Sequence, residues 1–184
     1  MTRGSYHHGD LKAVILTHAA ALVAERGADG VSLRELARAA GVSHAAPAHH
    51  FTDRRGLFTA LAAQGWRMLA ASLAQARPEF LDAALAYVEF AVGNPGHYEV
   101  MFDRSLVNPD DPDLAAAQDE AGAELASGVG TLDDARAKED PQAAGLAAWS
   151  LVHGFAMLWL NEAIDTDTDA VATAQRVAGM LFTK

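Results

Sequence analysis

The chain has 184 residues, 51% of them hydrophobic, with only 6 prolines, a composition typical of a globular all-helical protein. It has no cysteine, which excludes disulfides and thiolate metal sites and fits a reducing cytoplasm. The formal net charge of −10 argues against nucleic acid as a partner only if the charge is spread evenly, and it is not.

The positive charge is concentrated at the front of the chain. Residues 1–55 hold seven Lys/Arg and five Asp/Glu, a net charge of +2, together with six of the eight histidines, whereas the remainder has a net charge of −12. A basic head on an acidic body can bind DNA in one orientation while the body stays off the polyanion. We also see no signal peptide, and the longest apolar run, 145–160, is too short to span a membrane. A cytoplasmic protein without a membrane partner is therefore expected.

Residues 2–9 form a polar arm at the start of the chain. Arg3 and Tyr6 can reach a phosphate or the minor groove, as the basic arms of other DNA-binding folds do. The alternative is a frayed terminus without a partner. Asp10 then caps a predicted supporting helix that runs to about Arg26 and stops at Gly27.

The segment from Ser32 to Phe51 predicts two short helices joined by a tight turn. Ser32 is an N-cap that forms a capping box with Glu35, and this helix runs to about Ala40 before the turn at Gly41. Ser43 caps a second short helix that ends near Phe51, and Pro47 inside it removes one early backbone hydrogen bond, so we expect a distortion there. This pattern is that of a helix-turn-helix, with an ordinary helical hairpin as the alternative. The second helix has no carboxylate and carries three histidines, which suits phosphates and base edges.

A long helix is predicted from about Arg54 to Arg77, capped by Thr52 or Asp53. Arg54 and Arg55 at its N-terminus oppose the helix macrodipole, an arrangement that favours a bound phosphate. A solvated pair of arginines is the alternative.

The sequence from Glu25 to Phe58 resembles the TetR family of transcriptional regulators, and the resemblance covers residues 10 to about 60. It is carried by Glu25-Arg26-Gly27, 31–37, 40–43, His49-His50-Phe51 and Arg54 through Leu57-Phe58. The resemblance implies that the helix beginning at Ser32 crosses the DNA backbone and that the one beginning at Ser43 enters the major groove. The DNA-contacting residues expected on these grounds are Arg3, Tyr6, Ser32, Leu33, Arg34, Ser43, His44, Ala45, Ala46, Ala48, His49, His50 and Arg54.

One position departs from the family pattern. The family usually has a tyrosine where this chain has Ala48, so a contact from that aromatic ring is missing. We expect readout to shift to His44, His49 or neighbouring backbone groups.

Beyond Arg77, apolar spacing predicts helices over about 79–92, 97–102, 113–129, 141–164 and 169–181. The segment 108–113 is predicted to be a loop, and 130–141 is acidic and poorly periodic. Asn94-Pro95-Gly96-His97-Tyr98, Met101-Phe102, and Trp149 followed by His153-Gly154 resemble a C-terminal domain type of the same family, marked by tryptophan ahead of a His-Gly pair. The predicted organisation is a DNA-binding domain over 1–53 and an effector-binding and dimerisation domain over 54–184.

The predicted helix that contains residues 145–160 is apolar nearly all round, which indicates burial on two sides. One stripe is Trp149, Val152, Ala156 and Trp159, and the other is Gly145, Ala148, Leu151, Phe155 and Leu158. In a domain this small, the second side packs on a second copy of the chain. The family resemblance implies that the last two helices form a four-helix interface, and a two-fold pair of recognition helices reads a palindrome.

An effector pocket is expected among the large apolar side chains of the body, because a site for a small apolar molecule needs such groups with a few polar ones. The alternative is that most of them are core. For His153 the two interpretations are a hydrogen bond to a carbonyl within the core or a contact to the ligand. The predicted pocket residues are Trp66, Tyr87, Phe90, Met101, Phe102, Trp149, His153 and Met157.

Catalysis, a metal and a cofactor are not expected. The sequence has no HExxH, P-loop or nucleophile-elbow motif, and His44, His49 and His50 do not have the spacing of metal ligands on a helix. The prediction is a homodimeric bacterial regulator of transcription, and the resemblance implies a repressor that a small apolar molecule releases from a palindromic operator of double-stranded DNA. Ala48 and the modest charge of the head leave a rival, a dimeric small-molecule carrier that has lost DNA binding.

Overall fold

The computed structural model describes residues 8–76 and 79–180, with side chains from residue 11 onward. Every regular element within these ranges is helical, which confirms the predicted all-α class. The helices are α1 His8–Arg26, α2 Leu33–Ala39, α3 Ala48–Phe51, α4 Arg54–Gln75, α5 Phe80–Gly93, α6 Pro95–Phe102, α7 Pro112–Val129, α8 Ala135–Glu139, α9 Pro141–Leu160 and α10 Ala170–Ala178, with a 3₁₀ turn at Ala28–Gly30.

Packing divides the chain into two compact units. The first unit holds Met1–Gly65 and Asn94–Ala115, and the second holds Trp66–Gly93 and Ala116–Lys184. The predicted boundary after residue 53 separates a DNA-binding domain from an effector domain, and it does not coincide with the boundaries of these compact units. The functional division stays a prediction.

The first unit is built on α1, which packs against α2, α6 and the 3₁₀ turn. Its core side chains recur at the helical spacing that the sequence shows, and the removal of their apolar surface from water stabilises the unit. The largest of those that are fully buried are Ile15, Val23, Leu36, Leu57, Phe58, Leu61, Tyr98, Val100 and Leu114.

Helix α6 comes late in the sequence but belongs to this unit. At Gly96 it touches the backbone of α1, since an added Cβ would lie 3.0 Å from the Ala20 carbonyl carbon and from the Ala24 nitrogen. Glu99 on the same helix accepts a hydrogen bond from the backbone N–H of Ala28 at 2.8 Å. The 3₁₀ turn is therefore held by a carboxylate 71 residues further along the chain.

The start and end of α2 confirm the predicted N-cap at Ser32 and the predicted turn at Gly41. The Ser32 hydroxyl accepts a hydrogen bond from the Glu35 N–H at 3.3 Å. Gly41 has φ +67°, its N–H donates to the Arg38 carbonyl at 3.1 Å, and the Val42 N–H donates to the Ala37 carbonyl at 2.9 Å. These two bonds form a Schellman motif, which requires a left-handed residue at the glycine.

The second short helix differs from its prediction. A helix from Ser43 to Phe51 was expected, but regular α-helix covers only Ala48–Phe51, with Pro47 at its N-cap. Residues 44–47 form turns, in which the Ala46 N–H donates to the Ser43 carbonyl at 3.0 Å. The reason is that Pro47 has no N–H to donate to the preceding turn and that proline disfavours helix at Ala46 before it. The expected distortion is confirmed, and its extent is larger than predicted.

Helix α4 begins as the sequence indicates, and the structure selects one of the two predicted caps. The Asp53 carboxylate accepts a hydrogen bond from the Gly56 N–H at 2.8 Å, satisfying one of the donors that a helix start leaves without a partner.

The second unit is organised around α5, which packs against both α9 and α10, while α8 packs against α9. Tyr87, Val88 and Ala91 of α5 are fully buried. Helix α8 lies in the stretch 130–141 that the sequence left without an element, and Asp134 caps it by accepting from the Arg136 N–H at 2.8 Å.

Two predicted helix ends in the body need correction. Helix α7 was expected to begin at about residue 113, but it starts at Pro112. The Asp111 carboxylate accepts from both the Asp113 and Leu114 N–H groups at 3.0 Å. Pro112 fits the first helical position because it has no N–H there to satisfy. Helix α9 was expected to reach residue 164 but ends at Leu160.

The end of α9 is a second Schellman motif, formed around a residue with a side chain. The Glu162 N–H donates to the Trp159 carbonyl at 3.0 Å, and the Ala163 N–H donates to the Leu158 carbonyl at 2.9 Å. Glu162 has φ +52°, in the left-handed region that glycine occupies without a steric penalty.

Replacing Glu162 by glycine is therefore expected to raise the free energy of unfolding by about 0.5–1 kcal/mol. Glycine relieves the steric strain of the left-handed conformation, and this gain is partly offset because glycine has more conformational entropy in the unfolded chain. Urea unfolding at one fixed protein concentration measures it. Glu162→Ala is the matched control, since it removes the charge but keeps the Cβ. An equal gain in both variants would attribute the effect to the carboxylate and contradict the backbone explanation.

Candidate nucleic-acid interface and ligand cavity

Most of the predicted DNA-contacting residues lie on the surface of the first unit. Leu33, Ala46, His50 and Arg54 are half-buried, and Arg3 and Tyr6 lie outside the described residues. Between Ser43 and His49 the surface presents two imidazoles and small methyl groups, without a carboxylate. The exposed members of the set are Ser32, Arg34, Ser43, His44, Ala45, Ala48 and His49.

The one carboxylate on α2 is neutralised by arginine. Arg26 pairs with Glu35 at 2.5 Å, and Arg38 lies 3.8 Å from the same carboxylate oxygen. Arg34 is exposed, and the side chain of Arg38 is 78% exposed. The surface of α2 therefore keeps positive charge available to a phosphate.

Arg54 has a structural role that the sequence did not show. Its guanidinium donates to the carbonyl of Ala28 at 2.8 Å and to that of Val31 at 3.3 Å, and its Nη2 lies 3.4 Å from the Asp29 carboxylate. The same group lies over the Phe58 ring, 4.7 Å from the centroid, where cation–π attraction adds to the hydrogen bonds. Arg54 thus ties the start of α4 to the 3₁₀ turn. Its phosphate contact stays a prediction.

A cavity of about 450 Å³ lies within the second unit, between α5, α7 and the first half of α9. Eight of its lining residues are glycine or alanine on these helices or just after α7. The larger apolar lining residues include Phe80, Leu125, Val129, Leu146 and Val152. Adding a Cβ at Gly122 or Gly145 would meet no atom within 4 Å, so both glycines face open space. Small-molecule sites in proteins have this size and this apolar character.

Trp149 joins the cavity to a chain of hydrogen bonds. Its indole N–H donates to the Tyr87 hydroxyl at 3.2 Å, and that hydroxyl lies 3.1 Å from Nδ1 of His153. Desolvation lowers the pKa of His153, which favours the neutral ring as an acceptor from the tyrosine. The core partner of His153 in the structure is this hydroxyl, whereas the prediction named a carbonyl.

The other predicted pocket residues are distributed over both units. Trp66 and Phe90 are buried in the second unit, where Met157 is 40% exposed. Met101 is buried in the first unit against Gly65, and Phe102 packs on Tyr98 with 4.9 Å between ring centroids. Of the eight predicted residues, Trp149 lines the cavity. The other residues that line the cavity were not predicted from the sequence. The prediction selected large apolar side chains, whereas this cavity is lined largely by small ones.

A second histidine is buried in the first unit. His97 of α6 is 8% exposed, its Nε2 lies 3.2 Å from the Gln64 amide oxygen, and burial lowers its pKa. The neutral ring donates its Nε2 proton to Gln64 and fixes α6 against α4 within that unit.

Helix α9 leaves much apolar surface uncovered in the single chain. Its buried residues, Ala148, Val152, Phe155 and Ala156, come from both predicted stripes, so the buried face runs between them. Leu158 is 48% exposed and Met157 is 40% exposed, and neither lines the cavity. Because the helix begins at Pro141, its 20 residues are long and apolar enough to cross a membrane by length and composition alone, which corrects the expectation from residues 145–160. Such a face is found on helices that pack against another copy.

Two families match the chain. The family described as tetR-family bacterial regulatory proteins matches residues 15–61, and the family described as the Tetracyclin repressor-like C-terminal domain matches residues 80–181. The second match contains Trp149 and His153-Gly154, so both predicted resemblances are confirmed. No curated protein matches the chain.

Solved structures agree in fold. A protein of unknown function from Rhodococcus sp. RHA1 is 33% identical with a TM-score of 0.75, over 98% of this chain and 97% of that one. PfmR, a TetR family transcriptional regulator from Thermus thermophilus, is 21% identical with a TM-score of 0.69, over 92% and 94%. AibR, solved in complex with isovaleryl coenzyme A and operator DNA, is 20% identical with a TM-score of 0.64, over 94% and 98%.

Proposed function

The chain belongs to the TetR family of bacterial transcriptional regulators, and from this premise we propose that it is a homodimeric repressor of transcription. In this proposal residues 1–53 bind a palindromic operator, and residues 54–184 bind a small apolar effector and hold the dimer together. Effector binding releases the operator, for which a coupling free energy of about 1–3 kcal/mol suffices. The protein acts in the cytoplasm without a cofactor and without catalysing a reaction.

The observation that carries DNA binding is the exposed surface of residues 32–49 on the first unit. It combines the positive charge of α2 with a carboxylate-free segment of histidines and alanines. Arginines position a protein on phosphates, imidazoles can donate to base edges, and alanine methyls can contact thymine methyls in the major groove.

The uncovered apolar face of α9 supports dimerisation through the last two helices, α9 and α10. A two-fold dimer brings two recognition segments to half-sites about 34–36 Å apart, or a multiple of one helical turn. Burial of this face against a second copy, rather than in a membrane, also agrees with a cytoplasmic protein.

DNA binding can be tested without knowing the operator. Selecting bound sequences from a random duplex library gives a probe, and its dissociation constant is then measured against salt concentration. Arg34→Ala is expected to weaken binding on all sequences and to reduce the salt slope by about 1, because one phosphate contact is lost. His44→Ala is expected to alter base preference at one position of the half-site.

Lys138→Ala on α8 is the matched control, because it removes one exposed positive charge from the second unit. An equal loss in both variants would mean that net charge alone is responsible. Arg54→Ala is less informative, since it also removes the hydrogen bonds to Ala28 and Val31. Repression itself is tested in a deletion strain, where a reporter under the selected operator should rise.

The second candidate, a dimeric carrier that no longer binds DNA, is favoured by the shortness of α3 and by Ala48. No enrichment of any duplex at low salt would select the carrier. Steep salt dependence with a sequence preference would exclude it.

A further inference from the structure

The side chains that line the cavity of the second unit indicate the chemical class of the effector. This inference rests on the proposed function. The described residues that line the cavity include no charged side chain. An ion entering it would lose its water without gaining a partner of opposite charge, which is strongly unfavourable. The part of an occupant that lies inside the cavity therefore has to be uncharged.

Hydrogen-bonding capacity in the cavity is also small. Among the lining side chains, Gln142 and Trp149 carry the polar groups, and the Trp149 N–H donates to Tyr87. Gln142 is exposed, as are Gly122, Leu146 and Trp149, so this side of the cavity is open to solvent. A ligand in the interior is therefore held by apolar contact and shape, with at most a polar group toward this open side.

Two glycines, one on α7 and one on α9, line the cavity with room for a side chain. Gly122 of α7 and Gly145 of α9 both line the cavity, and a Cβ at either would enter open space. Glycine inside a helix is unfavourable, so two such residues facing one void indicate that the void is used. At protein-like packing density the space holds on the order of 20 non-hydrogen atoms.

We propose that the cavity between α5, α7 and α9 binds one uncharged, apolar molecule of this size, and that Gly122 and Gly145 determine which molecules fit. A charged group, such as the phosphates of a coenzyme A thioester, stays outside it. The specificity of the regulator thus depends on small residues and not on the aromatic side chains that the sequence brings to notice.

Two dyes with one skeleton test the charge. N-phenyl-1-naphthylamine is uncharged, and 1-anilinonaphthalene-8-sulfonate adds a sulfonate to it. Fluorescence titration of the full-length protein is expected to show the uncharged dye binding at least tenfold more tightly, with one site per chain. Equal affinities, or tighter binding of the sulfonate, would overturn the proposal.

Variants of the glycines test the location. Gly122→Leu and Gly145→Leu fill the void and are expected to raise the dissociation constant of the uncharged dye at least tenfold. Gly145→Ala is expected to raise it by a smaller factor. Gly93→Leu is the matched control, because its Cβ also meets no atom within 4 Å but it does not line the cavity. Thermal unfolding identifies a variant that fails to fold, in which case the alanine variant decides.

The outcomes separate this inference from the proposed function. Selective dye binding that depends on the two glycines, in a protein that binds no duplex, leaves the cavity assignment standing and contradicts the regulator. Sequence-specific DNA binding with a dye response indifferent to Gly122 and Gly145 leaves the regulator standing and contradicts the assignment.

Discussion

Replacing Gly96 by alanine is expected to lower the free energy of unfolding by more than about 3 kcal/mol, with loss of DNA binding. The added methyl group would enter the backbone of α1 at Ala20 and Ala24, which cannot yield as the end of a flexible side chain can. Either α6 moves off α1, which also breaks the bond between Glu99 and Ala28, or the first unit unfolds.

Gly93→Ala is the control for this substitution, since it makes the same chemical change three residues earlier, where a Cβ meets no atom within 4 Å. Urea unfolding by circular dichroism compares the two variants with the wild type. We expect Gly93→Ala to be neutral or slightly stabilising. A Gly96→Ala protein within about 1 kcal/mol of the wild type, on the scale of ordinary surface changes, would mean that α6 and α1 are not in backbone contact.

Replacing Leu158 by glutamate is expected to raise the dimer dissociation constant at least 100-fold, about 2.7 kcal/mol, because a carboxylate would be buried at the interface without a partner. Leu158 is 48% exposed in the single chain and does not line the cavity. Operator affinity should fall with the dimer, since a single recognition segment reads only one half-site.

Analytical ultracentrifugation over a range of concentrations measures this dissociation, and the uncharged dye shows whether the cavity is intact. Ala116→Glu, at an exposed position of α7, is the control for an added negative charge. A Leu158→Glu protein that remains dimeric at nanomolar concentration would place the interface elsewhere than on the exposed face of α9.

The features that could be predicted from the sequence are those set by local stereochemistry. Gly27 and Gly41 both have positive φ, and Ser32 caps α2, because each of these requirements acts within a few residues of the chain. The apolar spacing predicted that 79–92 is helical for the same reason, but it did not predict which residues of α5 are buried. At Pro47 a distortion was predicted, but regular helix is lost over all of residues 44–47.

The features that could not be predicted depend on residues far apart in sequence. The carbonyls that accept from Arg54 come from a turn 23 and 26 residues earlier, and nothing in the local pattern indicates them. The cavity is still harder to predict, because its shape depends on how three helices pack against one another. Gly122 and Gly145 resemble ordinary helix-weakening residues until the facing helix is known.

The hydrogen bond between Glu99 of α6 and the 3₁₀ turn has a consequence for biosynthesis and for chimeric proteins. The front of the chain leaves the ribosome before α6 has been made, so the packing of Gly96 on α1 has to wait for residues translated much later. For the same reason, a graft that transplants only residues 1–53 onto another sensor would omit a helix that the transplanted part packs against. Exchange between such regulators is expected to succeed when residues 94–115 travel with the front of the chain.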